Sequence, residues 1–177
     1  MSARFYSLCF IAILAFQLRA KGQDVVADTT ELNNKRLVLV AASQSVAIGG
    51  TLYALNRAWY KNYEKSKFHV KDDMGVWLQV DKLGHAYSGY SLAGPLAGMY
   101  RWAGLGRKKS ALYGTAGSLA VLTAIECMDA YSAEWGFSYG DMGANVLGAG
   151  LFLGQELLLK NQVVQLKFSS HKNKYYG

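Results

Sequence analysis

Asp81 and His85 stand four residues apart, Glu126 and Asp129 three apart, and Asp141 and Asn145 four apart. On an α-helix each of these pairs shares one face. Carboxylates beside an imidazole can hold and move protons, with His85 as the base and an acidic neighbour orienting its other ring nitrogen. The same inventory can ligate a divalent metal, the candidate ligands being His85, Glu126, Asp129 and Asp141. A catalytic set of His85, Glu126, Asp129 and Asp141 would then be completed by Asp81, Lys82, Ser88 and Asn145 as substrate-binding groups. Asp81 and Asp141 also open apolar stretches, where a helix N-terminus favours negative charge and offers free amides to an anionic headgroup. A purely structural reading stays open beside this one. In it Asp81 and Asp141 are helix-end charges or caps, and Glu126 is the ion-pair partner of Lys82.

The spacing of charges defines the elements that must carry these residues. Twenty residues without a charge separate Arg36 from Arg57, and eighteen separate Lys82 from Arg101. Sixteen separate Lys109 from Glu126, and fourteen separate Asp141 from Glu156. None of the four alternates apolar and polar residues as a half-buried strand would. The nearest to a strand is Leu37-Val38-Leu39-Val40, which runs directly into small, helix-tolerant residues. The expected fold is therefore all-α: a compact bundle of four helices near 36–58, 82–103, 109–131 and 141–160. A segment 1–20 precedes it, with a polar linker over 21–35, and a basic polar tail follows over 161–177. Pro95 lies inside the second helix and should kink it.

Short links force neighbouring helices to run antiparallel. The second helix then begins where the third ends and the fourth begins, so all three polar pairs gather at one end of the bundle and none at the other. The aromatic, glycine-rich link 129–141 would close over them as a lid. Four carboxylates so placed cannot all ionise cheaply, and Lys82 and His85 would offset part of the charge. Gln155 and Glu156 fall toward the opposite end, as interfacial groups. His69 and His171 sit in polar links without evident partners, and Cys127 is on another helical face from Glu126 and Asp129, as a packing residue.

The chain has 177 residues, 51% of them hydrophobic and only 18% charged, with 19 glycines and one proline. That excludes disorder and a disulfide-stapled miniprotein, and it is low in charge for a soluble enzyme. All four tryptophans (Trp59, Trp77, Trp102 and Trp135) flank apolar stretches, as indoles do at a membrane interface. Small residues recur four apart at Ser45/Gly49, Gly94/Gly98, Gly114/Ser118, Ala144/Gly148 and Gly150/Gly154, a spacing that lets helix backbones approach closely in lipid. A membrane-embedded bundle is the expectation, with a tightly packed soluble periplasmic bundle as the alternative. The N-terminal segment reads as a secretory signal peptide ending near Ala20, or as an anchor retained because of Arg19. Leu8 before Cys9 argues against lipidation of that cysteine. The net charge of +7 lies in runs flanking the apolar stretches, with no basic-aromatic platform, so nucleic acid is not an expected partner.

The motifs around the polar pairs are familiar. Trp77-Leu-Gln-Val-Asp81-Lys82-Leu-Gly-His85, Glu126-Cys-Met-Asp129, Trp135-Gly136-Phe137-Ser138 and Asp141-Met-Gly-Ala-Asn145-Val-Leu-Gly148 resemble the uncharacterised YfiM-like family of predicted periplasmic lipoproteins over about residues 68–170. The order Asp-Lys-x-x-His, Glu, Asp-x-x-x-Asn-x-x-Gly is more distantly similar to the VanZ-like membrane proteins. The resemblance implies an envelope location and this choice of residues, and no activity. Six Lys and Arg flank the polar end against eleven at the other, which by the positive-inside rule turns the polar end to the periplasm from the inner membrane. A cleaved signal peptide would give the reverse. The expected partner is a membrane lipid or a lipid-linked or anionic envelope substrate, acted on or bound. The alternative is a non-catalytic scaffold or a periplasmic binding protein whose buried charges fix helix register.

Overall fold

The computed structural model describes residues 31–58, 60–73, 75 and 79–167, and these contain four α-helices and no strand. Helix α1 spans Asn34–Ala58, α2 Val80–Trp102, α3 Arg107–Ala130 and α4 Tyr139–Gly154, and α4 runs on into a π-helical turn, Gln155–Leu159. The charge gaps thus place every helix to within a few residues. The signal or anchor segment, Cys9, Trp59, Trp77 and His171 lie outside the described residues.

Helix α2 is the central element, packed along α3 on one side and α4 on the other. Its contacts are made by small residues. Gly148 of α4 lies so close to α2 that a Cβ there would sit 1.8 Å from the Ala86 carbonyl oxygen. Gly114 of α3 lies against the backbone of Ala93 and Ala97, and the Ser118 hydroxyl donates to the Gly89 carbonyl at 2.9 Å. Buried alanines at 93, 97, 111 and 149 complete the seam, with Phe152 the one large side chain in the core cluster. Two of the small-residue pairs read in the sequence are thereby used, Gly114/Ser118 and Ala144/Gly148, whereas Gly49, Gly150 and Gly154 face open space. Helix α2 stays continuous through Pro95.

Helix α1 is attached more lightly. Val40 and Gln44 are its buried residues. At its start Asn33 N–H donates to Ala103 O at 3.0 Å, and the Arg36 guanidinium lies 4.8 Å from the centre of the Trp102 ring. Midway, Gln44 Nε2 donates to Leu96 O at 3.4 Å. Its start therefore meets the end of α2, so the up-and-down order holds for all four helices. The α2–α3 turn depends on Gly104, whose φ is +91° and where an added Cβ would lie 2.5 Å from Glu31 O, so no side chain fits.

The opposite end of the bundle is not free of polar residues, contrary to the expectation from the pairs alone. The π-helical turn buries both Gln155 and Glu156, because its wider winding carries two successive residues to the inner side. Glu156 Oε2 accepts from Arg101 Nη2 at 2.5 Å, and its other oxygen accepts from Gln162 Nε2 at 3.1 Å. Gln155 holds the backbone of Val164 in both directions, and Val164 O also accepts from the Tyr90 hydroxyl at 3.0 Å. Gln162 and Val164, at the start of the segment expected as a basic polar tail, are thus bonded to the bundle.

Candidate functional site

The first two turns of α2 present Asp81, Lys82 and His85, the last turns of α3 present Glu126 and Asp129, and the first turns of α4 present Asp141 and Asn145. Antiparallel packing brings all of them to one end. His85 Nδ1 lies 3.1 Å from Asn145 Oδ1, to which it donates, and 3.5 Å from Glu126 Oε1. With Nδ1–H so held, the lone pair of the neutral ring is at Nε2. Nε2 lies 3.8 Å from Asp81 Oδ1 and 4.0 Å from Asp141 Oδ1. Glu126 and Asn145 are at most 1% exposed and stand behind the ring instead of on the wall of the cleft. Asn145, expected from the sequence as a substrate-binding group, contacts the imidazole and is not among the residues of the cleft wall.

Lys82 lies between two carboxylates, with Nζ 2.7 Å from Asp73 Oδ2 and 2.7 Å from Asp141 Oδ1, and 3.4 Å from Asp81. The Lys82–Glu126 pairing considered from the sequence is not among the described ion pairs. Ser138 caps α4 by accepting from Asp141 N–H at 3.1 Å, in the spacing of a capping box, and its hydroxyl donates to Asp73 Oδ1 at 2.7 Å. The Ser138 amide donates to Glu126 Oε2 at 3.3 Å. Among the described residues Glu126 Oε1 has no hydrogen-bond partner. Asp129 lines the same cleft as His85 and accepts from the Tyr60 hydroxyl at its Oδ1 at 2.6 Å.

A cleft of about 1000 Å³ opens over these groups. Its wall includes Asp81, His85, Ser88, Asp129, Asp141 and Trp135. The link 129–141 borders it and pairs with a second loop, residues 63–73. Lys71 N–H donates to Phe137 O at 3.0 Å, and Phe137 N–H donates to His69 O at 2.9 Å. His69 is not a solvated, partnerless residue. Its Nε2 donates to Trp135 O at 2.7 Å and its Nδ1 meets the Ser66 hydroxyl at 3.1 Å. Trp135 packs edge-on against Tyr60 and Tyr63, so it serves the lid. Cys127 is exposed instead of packed, because the face of α3 that carries it turns away from α2.

Asp73 and Tyr60 are the members of the site that sequence reasoning missed. Both come from irregular segments, where no periodicity relates them to the helices they meet. Burial works against the charge of Asp73, but the Lys82 ammonium and the Ser138 hydroxyl outweigh it and hold its carboxyl below the ordinary carboxylate range. Its contribution to stability is then fully present above the unfolded value of 3.8 and is lost as pH falls through its lower folded value. Acid titration followed by lid fluorescence should show Asp73→Asn with a shallower acid branch than the parent. An identical branch would remove Asp73 from the lid's anchorage.

The metal ligands expected from the sequence are only partly together. Asp81, His85 and Asp141 place one ligand atom each within 4.8 Å of one another, while Glu126 and Asp129 fall outside that group. Lys82 Nζ already occupies the position beside Asp141 Oδ1, so a divalent ion would have to displace an ammonium there.

Residues 71–155, just under half of the chain, match the model of the family described as predicted periplasmic lipoprotein (DUF2279). The matched stretch holds every residue of the cluster except Tyr60, and it does not reach Cys9. The match supports a location in the cell envelope and a family without an assigned activity. No curated protein and no solved structure matches the chain.

Proposed function

We propose that this chain is an integral protein of the bacterial inner membrane, and that its His85-centred cleft binds and transfers a proton to or from the headgroup of a lipid-linked envelope substrate at the periplasmic face. The observation that carries the reading is the clamped imidazole. Asn145 holds Nδ1 from behind with Glu126 Oε1 3.5 Å away, and Nε2 is left facing the cleft with Asp81 and Asp141 close by. That is the arrangement of an oriented general base. The narrower likeness to YfiM-like and VanZ-like proteins belongs to this proposal.

The membrane part of the reading rests on an inverted packing pattern. The buried apolar residues are mostly alanines, while Leu147, Leu158, Val38, Val46 and Leu112 are each at least half exposed. In water such a distribution forfeits the main driving force for folding, whereas in lipid large side chains face the acyl tails and small ones let helices meet. Helices α1, α3 and α4 together with its π-helical turn are long and apolar enough to cross a membrane by length and composition. Helix α2 is the polar one, and it is the helix the others surround. Five carboxylates (Asp73, Asp81, Asp129, Glu134, Asp141) and one ammonium group (Lys71) line the cleft, so an anionic headgroup would enter together with a cation.

Two measurements test the proposal. Alkaline carbonate washing should leave the protein in the membrane pellet, and release into the supernatant would sink the membrane reading. In a strain depending on this chain for envelope integrity, His85→Ala should abolish complementation while abundance and melting temperature stay near the parent's. The scaffold alternative, favoured by the two 2.7 Å ion pairs of Lys82, expects lowered abundance and melting temperature instead. Full complementation by His85→Ala would overturn the proton-transfer role.

A further inference from the structure

The end of the bundle away from the cleft is strongly basic. Lys35 and Arg36 open α1, Arg107, Lys108 and Lys109 open α3, and Lys160 ends the π-helical turn. The structure brings these three places together: Asn33 bonds to Ala103 and Arg36 to Trp102 O, while Arg107 donates to Lys160 O. Among the described residues the acidic groups at this end are Glu31 and Glu156, and Glu156 is taken by Arg101. Large apolar side chains stand beside the cations in the open, with Leu158 82%, Leu159 56%, Leu32 53% and Trp102 49% exposed. Cations next to exposed leucines and an indole fit a surface that is anionic at headgroup level and apolar just beneath.

We infer that this basic end is a docking surface for the headgroups of anionic phospholipid. The inference rests on the membrane reading above and adds to it a lipid class and a place. Each cation near an anionic surface accounts for about a fivefold change in affinity. Neutralising three should therefore lower the preference for anionic lipid roughly a hundredfold, and added salt should lower it as well.

The test is native mass spectrometry of the full chain in nonionic detergent with equimolar phosphatidylglycerol and phosphatidylcholine. The parent should retain phosphatidylglycerol in clear excess. A Lys35→Gln/Lys108→Gln/Lys109→Gln variant, altered only at exposed positions, should approach parity. The control Lys61→Gln/Lys65→Gln/Lys67→Gln, at the cleft end and of equal net charge, should keep the excess. Equal retention of both lipids by the parent would overturn the inference while leaving carbonate resistance intact. Equal loss in both triple variants would overturn its location, and failure to retain either lipid together with carbonate release would end both readings.

Discussion

Gly148→Ala is expected to cost about 3 kcal/mol, at the upper end of over-packing penalties, and so to lower the melting temperature in detergent by about 10 °C. The added Cβ would lie 1.8 Å from the Ala86 carbonyl oxygen and 2.6 Å from its carbon. Both are backbone atoms in the middle of a helix, so no side-chain rotation relieves the overlap, and α2 and α4 must separate. The separation would also pull Asn145, one turn earlier on α4, away from His85. Gly143→Ala and Gly150→Ala on the same helix meet nothing within 4 Å and should be neutral or raise stability by up to about 1 kcal/mol through helix propensity. A Gly148→Ala protein that melts with the parent would mean that α2 and α4 do not pack at this contact.

Lys82→Met should cost about 3–5 kcal/mol, the range for removing one partner from a buried ion pair. The ammonium bridges Asp73 from the lid and Asp141 from α4, each at 2.7 Å, and its side chain is 12% exposed. Without it two carboxylates face each other with no cation between them, which unfastens the lid and crowds the start of α4. Adding Asp141→Asn to Lys82→Met removes one of the stranded charges and should recover a large part of the loss, giving a coupling energy of about 1–3 kcal/mol in a double-mutant cycle. Strictly additive losses would show that Lys82 and Asp141 are neighbours without being energetic partners. The same cycle bears on catalysis, because a Lys82 that mainly neutralises the lid is less available to a substrate.

Much of this architecture was legible in the chain. Charges are scarce along these helices, so the gaps between Arg36 and Arg57, or Asp141 and Glu156, marked the helices directly. Antiparallel threading of four helices with short links then required Asp81, His85, Glu126, Asp129, Asp141 and Asn145 to share one end, whatever the packing details. The pairs 81/85 and 141/145 follow from helical geometry alone.

The tertiary structure decided which atoms of that gathering meet. Asp73 and Tyr60 enter from loops, whose path is set by pairing with residues 131–137 and has no period to read. Asn145 and Glu126 fall behind the imidazole instead of beside a ligand because Gly148 lets α4 lie directly on α2, and a glycine in a sequence does not say which helix comes close. His69 meets the lid through a second loop, and Gln155 and Glu156 are buried by a π-helical turn, and neither has a period to read. Local periodicity and charge spacing are properties of the chain itself. Side-chain partnership across helices depends on the rotation and depth of packing, which small residues permit and only the assembled fold selects.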